Sequence, residues 1–102
     1  MREIRQTEAF AEWLHDLKDR KTKQVVSQRI LLMAAGSLGD VKSLGDGLFE
    51  ARIHYGPGYR LYFVQRGRTV IILLCGGSKR NQKRDIKNAQ WMIGALENEE
   101  NA

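Results

Sequence analysis

The spacing of apolar residues changes from a helical to an extended period near the middle of this chain, and that change limits the fold to a mixed one. Early on, Phe10, Trp13, Leu14 and Leu17 recur at i, i+3, i+4 and i+7, the spacing of one helical face. From residue 48 to residue 55 apolar and polar side chains alternate instead, which is typical of a β-strand. A chain of 102 residues has room for one domain. The sequence therefore predicts a single α+β domain.

Two helices and a short first strand are predicted in the N-terminal third. Residues 2–6 alternate weakly, which favours an edge strand. Thr7 is a good N-cap, so the amphipathic helix is expected to begin directly after it. A second helix is predicted after a short basic turn at residues 20–23, and we expect it to end near Gly36 because glycine readily terminates helices.

The remaining two thirds are predicted to form a loop, three strands and a final helix. Residues 36–47 hold four glycines together with serine and aspartate, which is typical of a loop. The final helix is expected to begin near Asn81, and residues 97–102 are expected to fray. The predicted strands lie at residues 48–55, 59–64 and 70–75, with turns at residues 56–58 and 65–68. The predicted order is β-α-α-β-β-β-α, with the two N-terminal helices packed on a small antiparallel sheet.

The chain is basic, and this charge indicates an acidic partner. Seventeen lysines and arginines stand against twelve aspartates and glutamates, which gives a formal net charge of +5. Nucleic acid is the commonest partner of such a surface, although an anionic membrane or an acidic protein would satisfy the same charge.

The sequence points to no cofactor, no metal and no targeting segment. Cys75 is the single cysteine, which excludes an internal disulfide, and it lies in an apolar run where a thiol is usually a small buried hydrophobe. Neither a zinc-ligand spacing nor a phosphate loop ending in Lys-Ser/Thr is present. The N-terminus lacks the apolar segment of a signal peptide, and the longest apolar run is too short to cross a membrane. We therefore expect a cytoplasmic protein.

Basic side chains are expected to converge where the central strands meet the start of the last helix. Arg52 and His54 lie two residues apart on one strand face, and Arg60 lies beside them if the turn at residues 56–58 sets the usual antiparallel register. A second basic cluster begins directly after the last strand. Its members are Lys79, Arg80, Lys83, Arg84 and Lys87.

This arrangement fits the cleavage of RNA without a metal. Such a reaction needs a base for the 2′-OH proton, cations for the phosphate and an acid for the leaving oxygen. Arginine holds two phosphate oxygens at once, and His54 is the candidate for proton transfer near neutral pH. Tyr59 or Tyr62 is predicted to stack on a base.

A structural interpretation of the same residues is also open. Cations near a helix start are usually a solvated face, and a lone histidine in a strand, such as His54, is structural more often than catalytic. Arg52 and Arg60 would then be ordinary partners of Glu50 or Asp46 on an exposed sheet face.

Several strings of residues, spread over nearly the whole chain, resemble one known family. They are Phe10-x-x-Trp13-Leu14, Gly39-Asp40-Val41-Lys42-x-Leu44, Gly47 to Ile53, Gly56 to Phe63, and Leu73-Leu74-x-Gly76-Gly77-x-Lys79-x-x-Gln82-x-x-Asp85-Ile86. With these strings the chain resembles the RelE superfamily of type II toxins, in particular its HigB-like branch of phage-derived, addiction-module killer proteins.

The resemblance implies a RelE-like fold and a ribosome-dependent endoribonuclease that cuts messenger RNA in the ribosomal A site. It also implies a cognate antitoxin, usually a small helix-turn-helix protein. Superfamily members use basic residues on the central strands, one arginine in the Gly-Tyr-Arg string, and basic or aromatic residues just after the last strand. By position these roles fall on Arg52, His54, Arg60, Lys79 and Arg80.

The sequence departs from this family at one place, and the departure keeps an alternative open. Better-known members carry Tyr or His after the last strand, where this chain has Asp85-Ile86. The alternative is a non-cleaving module that occupies the ribosome or only binds its antitoxin. A DNA-binding regulator is disfavoured, because no helix-turn-helix spacing is visible.

Overall fold

A computed structural model describes residues 1–100 of the chain as one five-stranded sheet with helices on both faces. Its elements, in chain order, are β1 (Glu3–Gln6), α1 (Glu8–Asp16), α2 (Arg20–Ala34), β2 (Val41–Gly45), β3 (Leu48–Ile53), β4 (Tyr59–Arg66), β5 (Val70–Ser78), a 3-10 turn (Lys79–Asn81) and α3 (Gln82–Glu100). Within residues 1–100, every helix is too short or too polar to cross a membrane.

The sheet is mixed, with strand order β1-β5-β4-β3-β2. The predicted edge strand at residues 2–6 exists, but it pairs parallel to β5, so the prediction of a purely antiparallel sheet is wrong at this edge. The strands from β2 to β5 are antiparallel to their neighbours, as predicted for the three strands that the sequence revealed. A parallel neighbour is possible because α1 and α2 lie between β1 and the other strands in the chain.

The segment predicted as a loop at residues 36–47 contains a strand, so the predicted order lacks one element. Val41 pairs with Ala51 and Lys42 with Glu50, which makes β2 the outer edge of the sheet. Of the four glycines that suggested a loop, Gly36 and Gly39 precede β2, while Gly45 and Gly47 have positive φ and form the turn into β3.

Two helix boundaries also differ from the prediction. The basic turn at residues 20–23 is the first turn of α2, because the Asp19 carboxylate accepts hydrogen bonds from Thr22 N and Thr22 Oγ1 and caps the helix there. At the other end of the chain α3 runs to Glu100, so the fraying predicted for residues 97–102 is not observed up to Glu100. Residues 101–102 lie outside the described part of the chain.

The predicted cap and stripe of the first helix are confirmed. Thr7 Oγ1 accepts a hydrogen bond from Phe10 N and donates one to Leu74 O, which fixes the start of α1 on β5. Phe10 is completely buried. The first helix is therefore held to the sheet by both its cap and its apolar face.

The sheet separates two apolar clusters. On one face α1 and α2 cover the side chains that the central strands direct toward them. There Phe10 of α1 packs in one cluster with Ala51, Leu61 and Leu73. On the other face α3 covers a second cluster, whose buried members are Leu48, Tyr62, Val64, Ile72, Leu74, Cys75 and Ala89. Leu74 and Cys75 both belong to the second cluster, because β5 shifts its register against β4 at that point.

Gly76 and Gly77 are required by close approaches from opposite sides of the sheet. A Cβ on Gly76 would collide with the indole ring of Trp13 in α1, and a Cβ on Gly77 would collide with the Asp85 carboxylate in α3. The pair therefore lets both helix layers touch the end of β5, which is where the candidate site begins.

We predict that Gly76→Ala lowers the free energy of unfolding by about 1–3 kcal/mol, because the Trp13 ring must move to admit a methyl group. The matched control is Gly94→Ala in α3, where no atom lies within 4 Å of the added Cβ. This control should be about 0.4–1 kcal/mol more stable than the natural chain. Urea denaturation of the purified proteins measures both, and equal effects of the two substitutions would contradict the packing described here.

Candidate functional site

Arg52 and Arg60 are direct cross-strand neighbours on the α3 side of the sheet. The β3–β4 register pairs Arg52 with Arg60, as predicted from the turn at residues 56–58. Their face is not the exposed one of the structural interpretation, because Arg60 is only 7% exposed. Like charges directly opposite one another repel, so this pair needs a compensating group.

Glu50 supplies that compensation from a completely buried position. Its Oε1 accepts a hydrogen bond from Arg52 Nε at 3.0 Å and lies 3.8 Å from Arg60 Nε. Glu50 is thus the partner that the structural interpretation named, but it is shared between two arginines. Two guanidinium groups against one carboxylate leave one positive charge over, which favours an anion beside them.

Gln82 ties the first turn of α3 to the same carboxylate. Its Nε2 donates to Glu50 Oε2 at 2.8 Å, so both carboxylate oxygens are bonded. Arg60 Nε lacks a hydrogen-bond partner within residues 1–100, since 3.8 Å is too long for one. Arg60 therefore retains hydrogen-bonding capacity that the described residues do not use, and it lines the depression described next.

An open depression of about 320 Å³ lies where the arginine pair meets the turn between β3 and β4. It is lined by His54, Gly56, Pro57, Gly58, Arg60 and Lys79. Lys79 N donates to Gly58 O at 2.9 Å, which holds the turn against the end of β5. The predicted convergence of His54, Arg60 and Lys79 is therefore confirmed.

His54 is exposed and is oriented by Asp40. The distance from His54 Nε2 to Asp40 Oδ2 is 2.7 Å, and this hydrogen bond holds the pKa of Asp40 below its usual value. An ionised carboxylate only accepts hydrogen bonds, so Nε2 carries the proton. In the neutral imidazole Nδ1 is then an acceptor, the form that a general base requires.

Arg29 of α2 holds Asp40 in place. Its guanidinium donates to three main-chain carbonyls, those of Leu38 at 3.1 Å, Asp40 at 2.8 Å and Arg52 at 2.7 Å. Gly39 is needed under it, because a Cβ there would lie 2.9 Å from Arg29 Cζ. Burial lowers the pKa of Arg29, although the charge of Asp40 opposes this. Arg29 therefore fixes the loop that positions His54.

The two tyrosines predicted to stack on RNA bases do not lie where that role needs them. Tyr62 is completely buried in the α3-side cluster, so its predicted stacking is wrong: the ring cannot reach a base. Burial and the nearby carboxylates of Glu50 and Asp85 raise the pKa of Tyr62. Tyr59 is half-buried on the α1–α2 side, opposite Arg60, which removes it from the depression.

The basic cluster after β5 is only partly gathered at the depression. Lys79 lines it, and Arg80 follows in the 3-10 turn with its side chain exposed. The others are exposed along α3, outside the lining of the depression: Lys83, Arg84 and Lys87. Arg84 Nε donates to Asp85 Oδ1 at 3.3 Å, so its charge faces a buried carboxylate.

Asp85 of α3 and Cys75 of β5 are buried neighbours between the helix and the sheet. Asp85 packs against Gly77, and its Oδ2 has no hydrogen-bond partner within the described residues. Cys75 Sγ donates to Asp85 O at 3.5 Å, and burial raises the pKa of the thiol to about 12. Within residues 1–100, acidic, histidine and cysteine side chains form no group of three that could hold a metal.

The sequence analysis named Glu50 only as an ordinary partner on an exposed face, and it missed the roles of Gln82, Arg29 and Asp40 in organising this site. A signal existed for Arg29, which occupies an i+3 position between Val26 and Ile30 on the apolar face of α2. A cation in such a stripe indicates a buried partner.

The sequence profile of a known family matches most of the chain that builds this site. The profile is described as "Phage derived protein Gp49-like (DUF891)" and covers residues 12–91. The chain belongs to the Gp49-like family. This family is associated with toxin–antitoxin modules. The match includes every residue placed at the depression.

One protein similar in sequence and one solved structure similar in fold can be compared with this chain. An uncharacterized protein of Haemophilus influenzae is 43% identical to this Gp49-like chain over 94 residues, covering 92% of this chain and 95% of the relative. The solution structure of the conserved hypothetical protein HP0894 from Helicobacter pylori is similar with a TM-score of 0.50 at 21% identity. That likeness covers 78% of this chain and 97% of the other, and it concerns the fold alone.

We predict that Glu50→Gln lowers the free energy of unfolding by about 3–5 kcal/mol, because it leaves two neighbouring guanidinium groups without a carboxylate. Combining it with Arg60→Met should recover part of this loss. The exposed Glu12→Gln is the matched control and should change stability by less than about 0.5 kcal/mol. Urea denaturation measures all three, and a Glu50→Gln variant as stable as the control would refute the central role of Glu50.

We predict that the Cys75 thiol resists iodoacetamide at pH 8 in the folded protein. With a pKa raised to about 12 the thiolate population is very small, and the thiol is buried as well. Mass spectrometry should find alkylation only after denaturation. Rapid alkylation of the folded protein would show that α3 leaves this part of the sheet.

Proposed function

We propose that this Gp49-like protein is the toxin of a toxin–antitoxin pair and a RelE-type, ribosome-dependent endoribonuclease that inhibits translation. The observation that carries the proposal is the Arg52–Arg60 pair, held by one buried carboxylate beside a depression that also receives His54 and Lys79. The excess positive charge suits a phosphodiester, and the family's association with toxin–antitoxin modules supplies the context.

In this proposal the attacking group is the 2′-hydroxyl of the messenger RNA. His54 Nδ1 takes the hydroxyl proton while the 2′ oxygen bonds to phosphorus and the bond from phosphorus to the 5′ oxygen breaks. Arg60 and Lys79 stabilise the charge that accumulates on the phosphate oxygens. The leaving 5′ oxygen takes a proton from water, and the products are a 2′,3′-cyclic phosphate and a 5′-hydroxyl. Arg52 and Arg80 strengthen the positive field, and Asp40 orients His54.

The cognate antitoxin and the ribosome are the proposed protein and RNA partners, with messenger RNA in the A site as substrate. We expect the antitoxin to be a small helix-turn-helix protein and the toxin to act in the cytoplasm. The net charge of +5 favours association with the ribosome, whose surface is largely phosphate.

A second candidate function is a non-cleaving module that blocks the ribosome or binds only the antitoxin. The observation that favours it is the position of Asp85 and Ile86, where related toxins carry Tyr or His. Asp85 is buried against Gly77, and Ile86 packs on the apolar cluster between α3 and the sheet, so neither lines the depression.

Induced expression in a bacterial host, followed by mapping of new 5′ ends on cellular messenger RNA, separates the two. We predict new ends in phase with codons for the natural chain. Lys79→Ala and Arg60→Lys should lower cleavage about 100-fold or more, because each removes a donor to the reacting phosphate. Lys18→Ala, an exposed lysine outside the site, is the matched control and should cleave normally.

Thermal melts of the same variants show whether each one folds. Growth arrest without new ends would support the non-cleaving toxin, and neither effect would leave only the antitoxin-binding module. Normal cleavage by both Lys79→Ala and Arg60→Lys would contradict the assigned site.

A further inference from the structure

The outward face of α3 carries an exposed tryptophan in a polar setting. Trp91 is 74% exposed, although tryptophan is among the side chains that gain most from burial. It borders a depression of about 280 Å³, whose lining is Gln90, Trp91, Gly94, Ala95 and Asn98. The amides of Gln90 and Asn98 can donate and accept hydrogen bonds, and Gly94 leaves the floor open because no atom lies within 4 Å of its Cβ direction.

Two exposed lysines precede this tryptophan on the same face of α3. Lys83, Lys87 and Trp91 follow at intervals of four residues, which places them on one helix face over about 12 Å. All three are exposed. Lys79, which lines the depression beside Arg60, lies in the 3-10 turn that directly precedes α3. Exposed lysines on α3 therefore lie between Trp91 and the end of the helix that adjoins the Arg60 depression.

We propose that this face of α3 binds single-stranded RNA, with one unpaired base stacked on Trp91 and the adjoining phosphates held by Lys83 and Lys87. The proposal takes from the proposed function only that RNA is the ligand. An aromatic face gives sequence-tolerant stacking, and the lysines give the charge attraction that single-stranded nucleic acid needs.

The direction of the strand follows from the charges at the far end of the helix. Beyond Trp91 the exposed side chains include Glu97 and Glu99, which repel phosphate. The RNA therefore extends from Trp91 toward Lys87 and Lys83, and so toward the Arg60 depression, rather than toward the helix C-terminus.

The surroundings of Trp91 fit RNA better than a protein partner. A protein interface of useful size has an apolar centre, whereas Trp91 is accompanied in this lining only by the two amides, Gly94 and Ala95, and exposed lysines precede it on α3. The exposed apolar pair Leu31 and Leu32 lies on α2, which packs on the other side of the sheet.

The test measures binding of a fluorescent 12-nucleotide 2′-O-methyl oligoribonucleotide by anisotropy. The methyl group removes the nucleophile, so cleavage cannot affect the result. We predict that Trp91→Ala weakens binding about 10-fold or more, the loss expected for one stacked base, and that Trp91→Phe keeps most of the affinity. Lys87→Ala should lower the salt dependence by roughly 0.7 in log–log slope. Leu32→Ala, another exposed apolar side chain, is the matched control and should bind normally.

A duplex of the same sequence should bind more weakly than the single strand and should not respond to Trp91→Ala, because its bases are already stacked. Unchanged single-strand affinity of Trp91→Ala overturns the proposal. Unchanged affinity together with escape from antitoxin neutralisation in cells would assign this face to a protein instead. Loss of affinity in Trp91→Ala with no cleavage by the natural chain would overturn the proposed function and leave this inference standing.

Discussion

A completely buried carboxylate between two arginines is the interaction on which the rest of this structure depends. Glu50 accepts from Arg52 and from Gln82 and is the nearest counter-charge to Arg60, so it joins β3, β4 and α3 at one point. Removing two charges from water is costly, and the cost is offset only where geometry and hydrogen bonds are good. Two guanidinium groups and one carboxylate leave a net charge of one positive unit. This excess charge is what would attract a phosphate to the buried cluster.

Residues outside the Glu50–Arg52–Arg60 cluster hold His54 and Lys79 in position. The Arg29 guanidinium donates hydrogen bonds to Arg52 O at the end of β3 and to Asp40 O, which fixes Asp40 beside β3. The Asp40 carboxylate in turn orients His54. Gly76 and Gly77 let α1 and α3 approach β5, so that Lys79 emerges beside the turn at residues 56–58. Three separate segments thus meet at one depression, held by the hydrogen bonds of Arg29 to main-chain carbonyls, of Lys79 N to Gly58 O and of His54 to Asp40.

Hydrophobic periodicity and turn residues predicted most of the helices and strands. Features that depend on contacts between residues distant in the sequence were not predicted. The α1 stripe, its Thr7 cap and the three central strands follow from local pattern. The strand β2 was missed because its glycines suggested a loop, and the start of α2 because its capping residue precedes a basic run. The Arg52–Arg60 pairing was predictable from the turn, but a buried Glu50 was not, since a carboxylate in a strand ordinarily faces water. Burial of Tyr62 depended on α3 covering that face.

The most direct test of the central claim follows the arginine side chains by ¹⁵N-resolved NMR while a dinucleotide phosphodiester with a 2′-O-methyl group is titrated in. If the arginine pair holds phosphate, the Nε–H signal of Arg60 shifts most with saturation, because it has no hydrogen-bond partner among residues 1–100, and that of Arg52 shifts less, because Glu50 already accepts from it. The signal of Arg29 stays fixed, because its donors bond three main-chain carbonyls and it does not line the depression. If only exposed arginines such as Arg68 and Arg80 respond, and Arg60 and Arg52 do not, then Glu50 and its arginines are a structural cluster and the account of the site is wrong.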